Sequence, residues 1–148
     1  MIHKISEHNC LNEIHDHIEI KTSNIESAGL GIFAMTDIPK DVLLGWYKGT
    51  IVENKDYINN PAYGWRFEHS ELGTVKLEAV INFEANPLAF VNGADPKIKQ
   101  QVDSLNLEHL IINNRVYYKT TKLIKKGEEL IIDYGEIYFS RFNNFNKK

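Results

Sequence analysis

GEELIIDYGEIYF, Gly127–Phe139, carries the most information in this chain. Lys125–Gly127 reads as a turn that feeds a buried apolar run, Leu130 to Ile132, and the run ends on two tyrosines, Tyr134 and Tyr138, set either side of a glycine-led turn. Tyrosines so placed combine a buried aromatic body with a hydroxyl at its wet end. Two upstream segments add to this. ESAGLGIFA, Glu26–Ala34, supplies a glycine turn that runs into a short apolar strand, and AFVNGADP, Ala89–Pro96, holds an asparagine in a tight loop.

Between these segments the pattern is mostly that of short strands. Ile18 and Ile20 alternate with Glu19 and Lys21, as in a strand with one face buried. Ser23–Gly29 is a turn, Ile32–Ala34 a short buried strand, and Asp37–Asp41 a turn in which Pro39 fixes the backbone. DVLLGWYKGTIV is strand-like but interrupted at Gly45 and Gly49, where backbones kink or approach closely. WRFEHSELGTVKLEAV predicts a hairpin turning near Gly73. LNLEHLIINNRVYYKTTKLI predicts another, turning at Asn113-Asn114, residues that tolerate positive φ. The best helix candidate is Asn54–Asn59, stopped by Pro61. The fold class is therefore mainly β, with several short strands and few short helices.

Bulk properties bound the function. A chain of 148 residues buries roughly two-thirds of its unfolded surface and is expected to form one domain. Residues 1–17 are polar and His-rich and are expected to flank it, with the domain over 18–139 and a tail over 140–148. A net charge of -3 leaves no basic footprint for direct nucleic-acid binding. No apolar run is long enough to span a membrane. The N-terminus lacks a signal-peptide core and there is one cysteine, Cys10, so an intracellular, reducing compartment is expected. His8, Cys10, His15 and His17 lack the paired spacing of structural zinc ligands, so no metal is expected there. GLGIFA fits a G-x-G-x-x-A dinucleotide fingerprint, but Pro39 follows too soon for the crossover helix that fingerprint needs.

The three segments, in this order and at these separations, resemble a SET domain, the fold of protein-lysine methyltransferases. The resemblance covers Ile18–Phe139 and implies a SET-domain fold of several short β-sheets with a C-terminal pseudoknot. It implies S-adenosylmethionine as cofactor, bound by Gly29, Leu30 and Gly31, by Phe90, Asn92 and Gly93, and by Tyr134 and Phe139. Tyr134 would be the catalytic tyrosine and Tyr138 a second one shaping the lysine channel, with Tyr47 of GWYKG as a further lining residue. Asn106 resembles the asparagine after which the family's chain threads. Ala89 and Gly93 depart from the family's R-F-x-N-H pattern and resemble its PR-type branch, some of whose members are silent interaction modules. The implied partner is a lysine-containing protein, a histone or another protein, in the nucleus or cytoplasm. The tail has no cysteine for a zinc segment, so Phe142, Phe145 or a second copy in a homodimer is expected to complete the channel.

Overall fold

A computed structural model describes residues 2–5, 8–56, 58 and 61–133. Twelve strands and one α-helix form among them. In chain order the strands are β1 (Ile2–Ile5), β2 (His8–Leu11), β3 (Ile18–Thr22), β4 (Leu30–Ala34), β5 (Val42–Trp46), β6 (Gly49–Glu53), β7 (Trp65–His69), β8 (Gly73–Ala79), β9 (Asn92–Gly93), β10 (Leu107–Ile112), β11 (Arg115–Thr120) and β12 (Ile131–Ile132), with α1 at Lys99–Asp103 between β9 and β10.

Three sheets result. Seven strands run in the order β1-β2-β5-β11-β10-β12-β9, β3 pairs with β4, and β6-β8-β7 form an antiparallel sheet with β8 in the centre. The hairpins form where the sequence places them. β7 and β8 pair antiparallel from Trp65↔Leu77 to His69↔Gly73. β10 and β11 pair from Leu107↔Thr120 to Ile112↔Arg115, and Asn113 (φ 51°) and Asn114 (φ 61°) take the left-handed turn their short polar side chains tolerate. The core lies between the sheets and draws on every layer, with Ile32, Ile38, Leu44, Leu107, Tyr118, Leu130 and Ile132 among its fully buried residues.

Three segments differ from their sequence reading. The polar stretch ahead of Ile18, expected as a flank, contributes β1 and β2. Asn9↔Val42 and Cys10↔Leu43 pair in parallel, and Cys10 and Leu11 are buried. A four-residue strand with two apolar residues is too short to show a period, and its partner lies over thirty residues away. No helix forms over the described part of Asn54–Asn59. Glu53–Asp56 is instead a turn closed by Asp56 N–H donating to the Glu53 carbonyl at 3.0 Å, because a run of charged and amide side chains has no apolar stripe to bury. The helix that does form, α1, buries none of its residues and so leaves no periodic signal.

β12 lies between β9 and β10 and is parallel to both, through Ile131↔Asn92, Ile132↔Gly93 and Leu107↔Ile132. A strand late in the chain is thus wedged between two earlier ones. The threading of the tail beyond Asp133 lies outside the described residues.

Candidate functional site

The glycine turn is held by its own backbone. Ser23 N–H donates to the Gly29 carbonyl at 2.8 Å, Ala28 N–H donates to Ile25 at 3.1 Å, and the Ser23 hydroxyl accepts from Ile25 N–H at 2.9 Å. Gly29 sits at φ 76°, in the left-handed region that favours glycine. The chain then enters β4, whose other edge meets Gly127–Leu130. Gly127 N–H donates to Ala34, Ala34 N–H to Glu128, and Leu130 N–H to Ile32, and Phe33 bridges Glu129.

That pairing brings a buried acid against the turn. Glu129 is 7% exposed. Its Oε2 accepts from the Ser23 hydroxyl at 2.7 Å and from Asn92 Nδ2 at 3.2 Å, and its Oε1 accepts from Asn24 N–H at 2.9 Å. Asn92 Nδ2 also donates to the Leu30 carbonyl at 2.9 Å. With the amide hydrogens directed at Leu30 and Glu129, Asn92 Oδ1 is turned to the opposite side. A Cβ on Gly31 would overlap Glu129 Oε2 and lie 3.1 Å from Asn92 Nδ2. The second glycine of the turn therefore leaves the space that the neighbouring carboxylate occupies.

Two further asparagines brace this arrangement. Asn106 donates from Nδ2 to the Glu129 carbonyl at 2.9 Å and accepts at Oδ1 from Ile131 N–H at 2.8 Å, clamping the chain on both sides of Leu130. Asn86, fully buried, accepts from Lys48 N–H at 3.1 Å and donates to the Val80 carbonyl at 2.9 Å, which positions the turn of 3-10 helix Pro87–Phe90 leading into β9. Ala89 is fully buried in that turn, and Gly93 is buried with its backbone paired to Ile132.

The structure thus brings Leu30, Gly31 and Asn92 into one cluster, with Gly29 in the turn beside it and Phe90 two residues before Asn92. Glu129 is the residue that the sequence reading missed. Its only signal was an acid abutting an apolar run, Glu129 before Leu130. Tyr134, Tyr138 and Phe139 lie outside the described residues.

Tyr47 belongs to a different group. It is 2% exposed, its hydroxyl donates to the Tyr63 carbonyl at 2.6 Å, and its ring lies 5.7 Å from Tyr118 and 6.3 Å from Trp65. Trp65 Nε1 donates to the Tyr118 hydroxyl at 3.2 Å, and the His109 ring lies tilted against Trp65 with centroids 4.4 Å apart. Burial lowers the His109 pKa from its ordinary 6.5, against the opposing pull of Asp133 and Glu108. Asp133 immediately precedes Tyr134, so this aromatic group adjoins the chain that leads to it.

Two of the N-terminal histidines are hydrogen-bonded to the domain. His15 Nε2 bonds the Phe83 carbonyl at 3.0 Å, and His17 Nδ1 bonds the Thr36 hydroxyl at 2.8 Å.

Comparison with known proteins gives a consistent result. The sequence profile of the PR domain of PR domain zinc finger protein 2 matches residues 18–144. PR domain zinc finger protein 2 from Homo sapiens is 29% identical over 132 residues, 89% of this chain and 7% of the relative. Histone-lysine N-methyltransferase set-17 from Caenorhabditis elegans is 25% identical over 83% of this chain and 42% of its own length. The chain thus spans less than half the length of either. Among solved structures, the methyltransferase domain of human PR domain-containing protein 2 superposes with a TM-score of 0.65 at 29% identity, covering 80% of this chain and 77% of that one. ATXR5, solved in complex with histone H3.1 mono-methylated on R26, superposes with a TM-score of 0.58 at 16% identity over 86% of this chain and 61% of its own, a likeness of fold.

Proposed function

The chain belongs to the PR-domain branch of the SET-domain family, and from that premise we propose that it methylates the side-chain amine of lysine in a protein, using S-adenosylmethionine. The observation that carries the proposal is the meeting of the Gly29–Gly31 turn, exposed at Gly29 and Leu30, with the buried side chains of Asn92 and Glu129. Asn92 Oδ1 and the backbone carbonyls of the turn, with Asn92 fixed in orientation by the buried Glu129 carboxylate, suit the ammonium of the cofactor's amino-acid end, so the residues present fit the group. Gly29, Leu30, Gly31, Phe90, Asn92 and Gly93 would hold it, with Tyr134 and Phe139 from the following segment. When bound, the cofactor supplies a methyl group on a cationic sulfur, which the lone pair of a neutral amine takes as the carbon–sulfur bond breaks.

The protein's own task is to provide that neutral amine and align it. At neutral pH about one free lysine in a few thousand is uncharged. An apolar channel lowers the lysine pKa by desolvation, and the proton leaves to solvent. Tyr134 would orient the amine through its hydroxyl without ionising, and Tyr138 and Tyr47 would shape the channel, so that much of the rate enhancement comes from positioning. The substrate is proposed to be a histone or another lysine-bearing protein, met inside the cell, with a second copy of the chain as a candidate for closing the channel.

A second reading, a silent module that binds a protein partner, is favoured by Ala89 and Gly93, which leave no arginine or histidine side chain beside Asn92. Calorimetric titration with S-adenosylmethionine and S-adenosylhomocysteine separates the two. Micromolar binding of both supports the enzyme, whereas no heat at millimolar ligand supports the silent module. Given binding, Tyr134→Phe is expected to cut turnover about 100-fold, the effect of losing one positioned donor, while cofactor affinity stays within a few-fold. Equal loss of both would make Tyr134 a packing residue.

A further inference from the structure

A cleft of about 580 Å³, lined by neither Asn92 nor Glu129, opens where the tips of two hairpins meet. Asn114, in the β10–β11 turn, accepts at Oδ1 from Ser70 N–H at 2.8 Å and donates from Nδ2 to the Ser70 hydroxyl at 2.9 Å, clasping that turn to the β7–β8 turn. Behind the clasp, the cleft has an apolar wall that includes Ile51, Phe67 and Leu77. Its volume lies inside the roughly 300–1,000 Å³ range of small-molecule sites.

The polar side of the cleft is basic. Lys48 Nζ lies 4.1 Å and the Arg115 guanidinium carbon 4.4 Å from the centroid of the Trp46 ring. Among the described residues neither cation has an ion-pair partner, and no Asp or Glu lines the cleft. Burial, and then the charge of Arg115, lower the Lys48 pKa. His69 adds a donor. Its Nδ1 accepts Glu71 N–H at 3.1 Å and Leu72 N–H at 3.2 Å, so the neutral ring carries its hydrogen on Nε2. In a chain of net charge -3, two adjacent cations and a histidine gathered without an acid stand out against the overall balance.

We propose that this cleft binds an organic anion, its phosphate or carboxylate group held by Lys48, Arg115 and His69 and its apolar part seated on Ile51, Phe67 and Leu77. Arginine contributes a planar fork matched to such oxyanions and lysine a mobile point charge. The apolar wall favours a small amphiphilic anion over a nucleic-acid backbone, which needs an extended track of cations.

The chain has two tryptophans, so its two indole N–H signals in a nitrogen-15 NMR spectrum report the cleft and the core separately once Trp46→Phe assigns them. Phenyl phosphate and benzoate are the probes, and phenol is the neutral control. The Trp46 signal should shift saturably with at least one anion, with Kd on the order of millimolar or tighter. The Trp65 signal should stay in place and phenol should be inert. Whichever anion binds more tightly identifies the group. Lys48→Met and Arg115→Gln should each weaken binding about tenfold, the loss of one charge-assisted hydrogen bond. An unmoved Trp46 signal, an equal response to phenol, or affinity unchanged in both variants would overturn the proposal. Displacement of phenyl phosphate by a lower concentration of single-stranded oligonucleotide would overturn it in favour of nucleic acid.

Discussion

At Glu129 a buried carboxylate meets a hydroxyl, a backbone N–H and an amide, every one of them supplied by the fold. At Trp46 two cations share one indole ring, and the described residues bring no anion to either. The first region is electrostatically complete and its geometry is therefore fixed: removing any member strands a buried polar partner, which costs more than the net gain from making the bond. The second is left incomplete, exposed enough for water to screen it and open enough for a ligand to finish it. One is built to hold a shape and the other to accept a charge.

The largest effect that could break this contrast is expected at the complete network. Glu129→Leu leaves the donors of Ser23, Asn24 and Asn92 without their acceptor and should cost about 3 kcal/mol of folding stability, read from urea unfolding. A loss below about 1 kcal/mol would mean that the donors re-pair easily and that the network fixes little. Next comes Gly31→Ala, whose methyl would press on the Glu129 carboxylate and should cost about 2 kcal/mol. In a Glu129→Ala background the same change should cost less than half as much, because the occupying oxygen is gone. Strict additivity of the two would place the clash elsewhere.

The smallest effect belongs to the incomplete region. Lys48→Met should move stability by no more than about 0.5 kcal/mol at neutral pH. Because the folded pKa of Lys48 lies below 10.5, the unfolded chain binds the extra proton between the two values, and Lys48 contributes stability that increases with pH across that window. Subtracting the Lys48→Met profile from that of the parent protein should leave this alkaline rise. A difference flat in pH would show that Lys48 is fully solvated and that the cleft does not strain it.

Much of the fold was legible because its signals are local. Asn113-Asn114 and Gly73 mark hairpins through residues that accept the turns, and the alternation at Ile18–Lys21 marks β3. β1, β2 and α1 were not legible, since a short strand paired with a distant partner and a helix with no buried face leave no period to detect. For the candidate site, the resemblance carried by the three segments pointed to Gly31 and Asn92, which the fold brings together, but the packing around Gly31 was hidden. It depends on Glu129, 98 positions away in sequence, and nothing in either segment announces that a carboxylate will fill the space a side chain would need. The cleft at Trp46 was invisible for a related reason: Lys48 in the β5–β6 connection, His69 at the end of β7 and Arg115 at the start of β11 meet only once two sheets are clasped.

The insertion of β12 between β9 and β10 also has a kinetic consequence. Gly31, Asn92 and Glu129 share no hairpin: β9 reaches β12 through parallel pairs 39 positions apart in sequence, and β4 reaches Glu129 through the bridge from Phe33, 96 positions earlier. Non-local parallel pairing is slow because loop entropy is lost before contacts compensate for it. The Glu129 cluster should therefore be among the last parts of the molecule to assemble, with the hairpins already formed and waiting for it.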